Sequence, residues 1–146
     1  MSKSNTFEND LMLLLFNNTA IANIGDAAGI LGSAAPGTLW LSLHTADPGE
    51  AGTAVTSETA YTGYARVSVA RSGAGFVVTG NSVSPAANAD FPECTAAPGA
   101  AITHFGVVNT ASGAGKLLYS GTVTPNITMA VGVIPRLKTT STITED

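Results

Sequence analysis

The side chains with the most chemistry to offer are His44 and His104, with the carboxylates Asp47 and Glu50 close behind the first. Imidazoles titrate near neutrality and bind metals, so two of them beside acids are raw material for a metal site or for acid–base catalysis. The histidines are 60 residues apart, however, and match no ligand spacing. Each sits in a run that reads as a strand, and a hydrogen-bonded structural role at strand ends is the expectation.

Other reactive patterns fail in the same way. A serine hydrolase needs its nucleophile on a strained strand-to-helix elbow, and Gly-x-Ser-x-Gly does not occur. Gly113-Ala114-Gly115-Lys116 looks like the end of a phosphate-binding loop, but Thr110 stands where the first glycine belongs and Leu117 where magnesium needs Ser or Thr. It reads as a hairpin turn. The carboxylates Asp47, Glu50, Glu58, Asp90 and Glu93 are dispersed over loops, with no spacing that pairs two for glycoside hydrolysis. Trp40, Tyr61, Tyr64, Phe91, Phe105 and Tyr119 are expected in the core, with Trp40 the exception. It shares a strand face with Ser42 and His44, opposite Leu39, Leu41 and Leu43, and so qualifies as a contact residue. The expectation is a protein that is not an enzyme, with no catalytic residues, no cofactor and no metal.

The elements that would position these residues are mostly strands. Leu39–His44, Tyr64–Arg71, Phe76–Thr79, Ala101–Val108, Lys116–Val123, Met129–Ile134 and Thr140–Thr144 are short, rich in β-branched or aromatic residues, and separated by turn residues. This is the pattern of an all-β sandwich. Ahead of it, Asn5 as N-cap and Glu8 three positions later suggest a capping box, with Phe7, Leu11, Leu14 and Leu15 at helical spacing. A helix over about residues 6–16 is expected. Its apolar end, Leu11 to Phe16, wraps most of the circumference, so a loop or a neighbouring subunit should cover it. Residues 19–38 show no period and read as an extended Gly/Ala-rich connector. The fold expected is mainly β: one β-sandwich domain over 39–146, preceded by an N-terminal helix and extended arm over 1–38, with long Gly/Ala-rich loops.

Composition bounds the partners. Charged residues are 11% of the 146, less than half the usual share, which leaves a surface of Ala, Gly, Ser and Thr suited to contact with protein. A net charge of −4, with six scattered Lys and Arg, argues against nucleic acid. Leu11 to Phe16 is too short to span a membrane and lacks the basic flank of a signal peptide, so synthesis in the cytoplasm is expected. Cys94 is the lone cysteine and should be a small buried thiol.

Several segments together carry a resemblance: Ser4-Asn5-Thr6-Phe7-Glu8, Leu41-Ser42-Leu43-His44-Thr45-Ala46-Asp47-Pro48-Gly49-Glu50-Ala51-Gly52, Tyr64-Ala65-Arg66-Val67, Asp90-Phe91-Pro92 and Ile102-Thr103-His104-Phe105-Gly106-Val107. Over most of its length the chain resembles short virion proteins of tailed phages, commonly labelled tail fibre proteins, some of which look like capsid cement or decoration proteins. The connector between helix and first strand is longer than in the common pattern. The resemblance implies a non-enzymatic structural protein of the virus particle with a sandwich or jelly-roll fold. The leading expectation is a capsid cement protein on the capsid exterior, bound to the major capsid protein and to neighbouring copies of itself as a homo-oligomer, with no nucleic acid or membrane partner. The alternative is a tail or tail-fibre component. Partner-binding residues would lie on the helix (Phe7, Leu11, Leu14, Leu15), at Trp40, and in the long loop (Asp47, Pro48, Glu50).

Overall fold

In the computed structural model, which describes residues 2–145, the chain is mainly β. One helix, α1 (Asn5–Asn17), is followed by β1 (Thr38–His44), β2 (Val67–Ala70), β3 (Phe76–Thr79), β4 (Ser82–Pro85), β5 (Ala89–Asp90), β6 (Ile102–Val108), β7 (Leu117–Ile127), β8 (Arg136–Leu137) and β9 (Ile143–Thr144). These strands form a four-stranded sheet of order β2-β1-β6-β7, a three-stranded sheet β3-β4-β9 and a pair β5-β8. The expected strand at Met129–Ile134 is absent, because Gly132 at φ +87° turns the chain there. In its place the short β8 begins just beyond, at Arg136.

The chain divides into two compact units. The first comprises Met1–Thr38, Val69–Asn88 and Lys138–Asp146. Here the N-cap is Ser4 rather than Asn5, because the Ser4 hydroxyl accepts from the Phe7 amide, with Ser4 itself extended at φ −80° and ψ 149°. Glu8, Met12 and Phe16 form the buried stripe at a spacing of one turn, and Phe16 meets Phe76 of β3 edge-on with ring centroids 5.0 Å apart. Strands β3 and β4 are joined by Gly80-Asn81, with Gly80 at φ +60°, a two-residue hairpin.

Residues 19–38 differ from the expected extended connector. Ile21 and Ile30 pair through two backbone bonds of 2.9 Å, and the Asp26 carboxylate accepts from the amides of Ala28 and Gly29. Asn18, left-handed at φ 58°, closes α1 and exchanges bonds with Ser33. Arg71 ties both pieces together. Its guanidinium donates to the Leu14 and Leu15 carbonyls, to Asn18 Oδ1 at 2.7 Å, and to Ser33 and Pro36. The last turn of α1 has no basic residue of its own, so this cation meets both the orphan carbonyls and the negative end of the helix dipole.

The second unit comprises Leu39–Ser68 and Ala89–Leu137. Antiparallel β1 and β6 pair from Trp40 opposite Val108 to His44 opposite His104. On one face Leu41, Leu43, Phe105 and Val107 are buried, and Tyr61, Phe91, Cys94 and Ile102 extend the core. As expected, Cys94 is a free, fully buried thiol. The expected second strand is shorter than its alternation suggests: Tyr64 and Arg66 leave the sheet to serve the buried network described next.

Candidate partner-binding surface

Residues Thr45 to Glu58 are held as a closed loop by their own backbone. Thr45 donates to the Ser57 carbonyl at 2.8 Å and Thr59 to the Leu43 carbonyl at 2.9 Å, while Ala54 bonds Gly115 at 3.0 Å in the β6–β7 connection. That connection contains the Gly113–Lys116 run, pinched by Asn109, whose side chain accepts from the Lys116 amide. It is the hairpin turn expected.

Below the loop lies an ionic knot. Arg66 makes a fork to Glu58, Nε to Oε1 at 2.7 Å and Nη2 to Oε2 at 2.8 Å. Its remaining donors reach the carbonyls of Thr110, Gly113 and Ala54 and the Thr110 hydroxyl. The Arg66 side chain is 2% exposed and that of Glu58 14%, so the pair is strongly coupled. Hydrogen bonding to Glu58 raises the Arg66 pKa further and keeps it cationic. The Tyr64 hydroxyl accepts from the Leu43 amide and donates to Glu58 at 2.8 Å; burial pushes its pKa well above the ordinary phenol value. One guanidinium thus ties the loop, the hairpin turn and the start of β2 together.

His44 is the second tie. Its Nδ1 lies 2.8 Å from the Thr56 carbonyl, which can only accept, so Nδ1 carries the proton. In the neutral ring Nε2 then accepts from the Ser42 hydroxyl, also at 2.8 Å. Desolvation lowers the His44 pKa below the usual 6.5, against the opposing pull of the Thr56 carbonyl and the Glu58 charge. Ser42 and His44 are 0% exposed, although they share this face of β1 with the half-buried Trp40. A serine bonded to an imidazole has the form of a nucleophile and its base, yet no carbonyl substrate can reach Oγ here. Gly106 closes the site: a Cβ there would stand 2.6 Å from Ser42 Oγ and 2.8 Å from His44 Nε2. Among the described residues no three His, Cys, Asp or Glu side chains gather as a metal site. No helix among them is long and apolar enough to cross a membrane.

A groove of about 450 Å³ runs along β7, with Asp47, Gly49, Glu50 and Gly52 on one wall and residues 117–122 on the other, and His104 between them. Asp47 and Glu50 are exposed, whereas Pro48 between them is buried. The Asp47 carboxylate accepts from the Gly49 amide at 2.9 Å, which fixes the turn that presents both acids. Trp40 is half-buried in β1, and Phe7, Leu11, Leu14 and Leu15 are half-buried on α1 in the other unit. Of these residues Asp47 and Glu50 line the groove together, and Pro48 does not. Sequence reasoning missed Arg66, Glu58 and Thr56 as the framework of the loop. The one available signal was Glu58 eight positions before Arg66, an acid and a base in a stretch otherwise poor in charge.

Residues 2–144 match the family model Gp80, described as podophage GP4 fiber I protein gp80. The chain belongs to this family. It is accordingly a member of a phage virion structural protein family, and the virus particle is the location that the family implies. No curated protein matches the chain.

Proposed function

We propose that the protein is a non-enzymatic component of a phage tail-fibre assembly, acting by presenting a fixed surface to other virion proteins. The observation that carries this reading is the family match over nearly the whole chain, whose description names a fibre protein. That description favours the alternative drawn from the sequence over capsid cement, for which nothing beyond the original resemblance speaks. Two features of the structure support a role in contact. The Ser42–His44 pair is sealed from substrate, and the loop beside the β7 groove is immobilised by the Arg66 knot, so little conformational entropy is lost when a partner docks.

Gold-conjugated antibody against the chain, applied to intact purified particles, tests the reading. Label confined to the tail region is expected. Label spread over the head would overturn it in favour of a shell protein.

A further inference from the structure

Among the described residues seven larger apolar side chains are exposed, and three of them, Ile24, Ile30 and Leu31, belong to one loop of the first unit. Leu31, at 67%, is the most open of the seven. The loop that carries them is built rather than slack. Ile21 and Ile30 exchange two backbone bonds, and Asn18 exchanges two with Ser33. Gly29 and Gly32 permit this closeness, since a Cβ on either would run into the carbonyl oxygen of Ile21 or of Asn18. The one charge at the tip, Asp26, is turned inward onto the amides of Ala28 and Gly29. Apolar side chains held outward on a loop whose own bonds are complete lose little entropy on docking and mark a contact site.

The backbone also says what shape would cover them. Ile30 lies in the antiparallel bridge to Ile21, so Leu31 after it projects to the opposite side of the loop. A flat surface would cover one of the two, and covering both takes a cleft that encloses the tip.

We propose that the loop of residues 22–31 inserts into an apolar cleft of another virion protein, with Leu31 as the leading contact. That the cleft belongs to a virion protein rests on the reading above; the chemistry of the loop does not.

Area and composition decide against other occupants. Three aliphatic side chains offer at most roughly 300 Å², whereas a stable pair needs about 800 Å² on each side. Two copies meeting tip to tip therefore fall short. The grooves described on this chain carry Asp47, Glu50 and His104, or Glu58 and Arg66, the wrong lining for three aliphatic groups. A lipid bilayer is disfavoured because residues 19–38 contain no Lys, Arg or aromatic residue to anchor at its interface.

The test counts copies of the chain per purified particle, by quantitative mass spectrometry, for phages encoding wild type, Leu31→Asp, Leu31→Gln, Leu31→Met or Val77→Asp. Val77 is exposed in the same unit but outside the loop. Both polar variants at 31 should lower incorporation by about tenfold or more, the effect of losing one buried leucine. Leu31→Met and Val77→Asp should stay near wild type, and unchanged circular dichroism of the purified variants verifies folding. Three results would overturn the proposal: wild-type incorporation of the polar variants, self-association of the purified chain that they abolish, or binding to phosphatidylcholine–phosphatidylglycerol vesicles that they abolish. Whether the wild-type chain sits on head or tail does not enter the comparison, so the tail-fibre reading can fail while this inference stands.

Discussion

At the scale of single residues, Gly106 explains why Ser42 and His44 can be bonded and buried at once. It sits opposite Ser42 across the β1–β6 ladder, and the space a methyl would need is already filled by Ser42 Oγ, His44 Nε2 and Leu117 Cδ1 at 2.6 to 2.8 Å. Gly106→Ala should therefore push the imidazole off the Thr56 carbonyl and cost about 1–3 kcal/mol by overpacking. Urea denaturation measures the loss, and proteolysis within residues 45–58 should increase. His44 carries the pH dependence. Because its pKa is lowered in the folded chain, the unfolded chain binds the proton first as pH falls below 6.5. Stability should fall as pH drops from the ordinary histidine value toward the lower native one, by at most about 1.4 kcal/mol per pH unit, and level off below it. Carboxylates add their own slope at lower pH. The difference between wild type and His44→Gln in denaturation at about pH 7 and pH 5 isolates the histidine part; equal slopes would contradict it.

At the scale of elements, the N-terminal segment is built in. Arg71 lies 56 residues beyond Leu15, and its bonds to α1 and to residues 18–36 make the loop part of the first unit's structure. Arg71→Ala should cost about 2–4 kcal/mol, since several partly buried acceptors lose a charged donor together. Hydrogen exchange should then rise across residues 14–36 while the amides of β6 stay protected. The helix itself was legible in the sequence from the spacing of Phe7, Leu11, Leu14 and Leu15, although the stripe it buries is Glu8, Met12 and Phe16. So were β1, β3 and β6, whose alternation or β-branched runs survive as strands. Strand β4 was hidden by Pro85 and the neighbouring Asn and Ala residues, although Gly80-Asn81 is a hairpin signal in its own right. The order of residues 19–38 was not legible, since it rests on the Ile21–Ile30 and Asn18–Ser33 pairings and on an arginine far along the chain. The loop acids Asp47 and Glu50 could be picked out as exposed, but the Arg66–Glu58 knot that fixes them forms only after β2 and the β6–β7 turn converge.

At the scale of the whole molecule, low charge and ready-made loops serve one end. Few Lys and Glu residues must be desolvated when the surface is covered, and the bonds that order the loops are already made within the chain. Membership of the family implies a virion location for a protein so constructed; contact with other virion proteins is the role we propose for it. The most direct measurement is quantitative mass spectrometry of heads and tails separated from purified particles. The account predicts that the chain travels with the tails in a small, fixed number of copies. Recovery with the heads at numbers comparable to the shell subunits, or absence from both fractions, would contradict it.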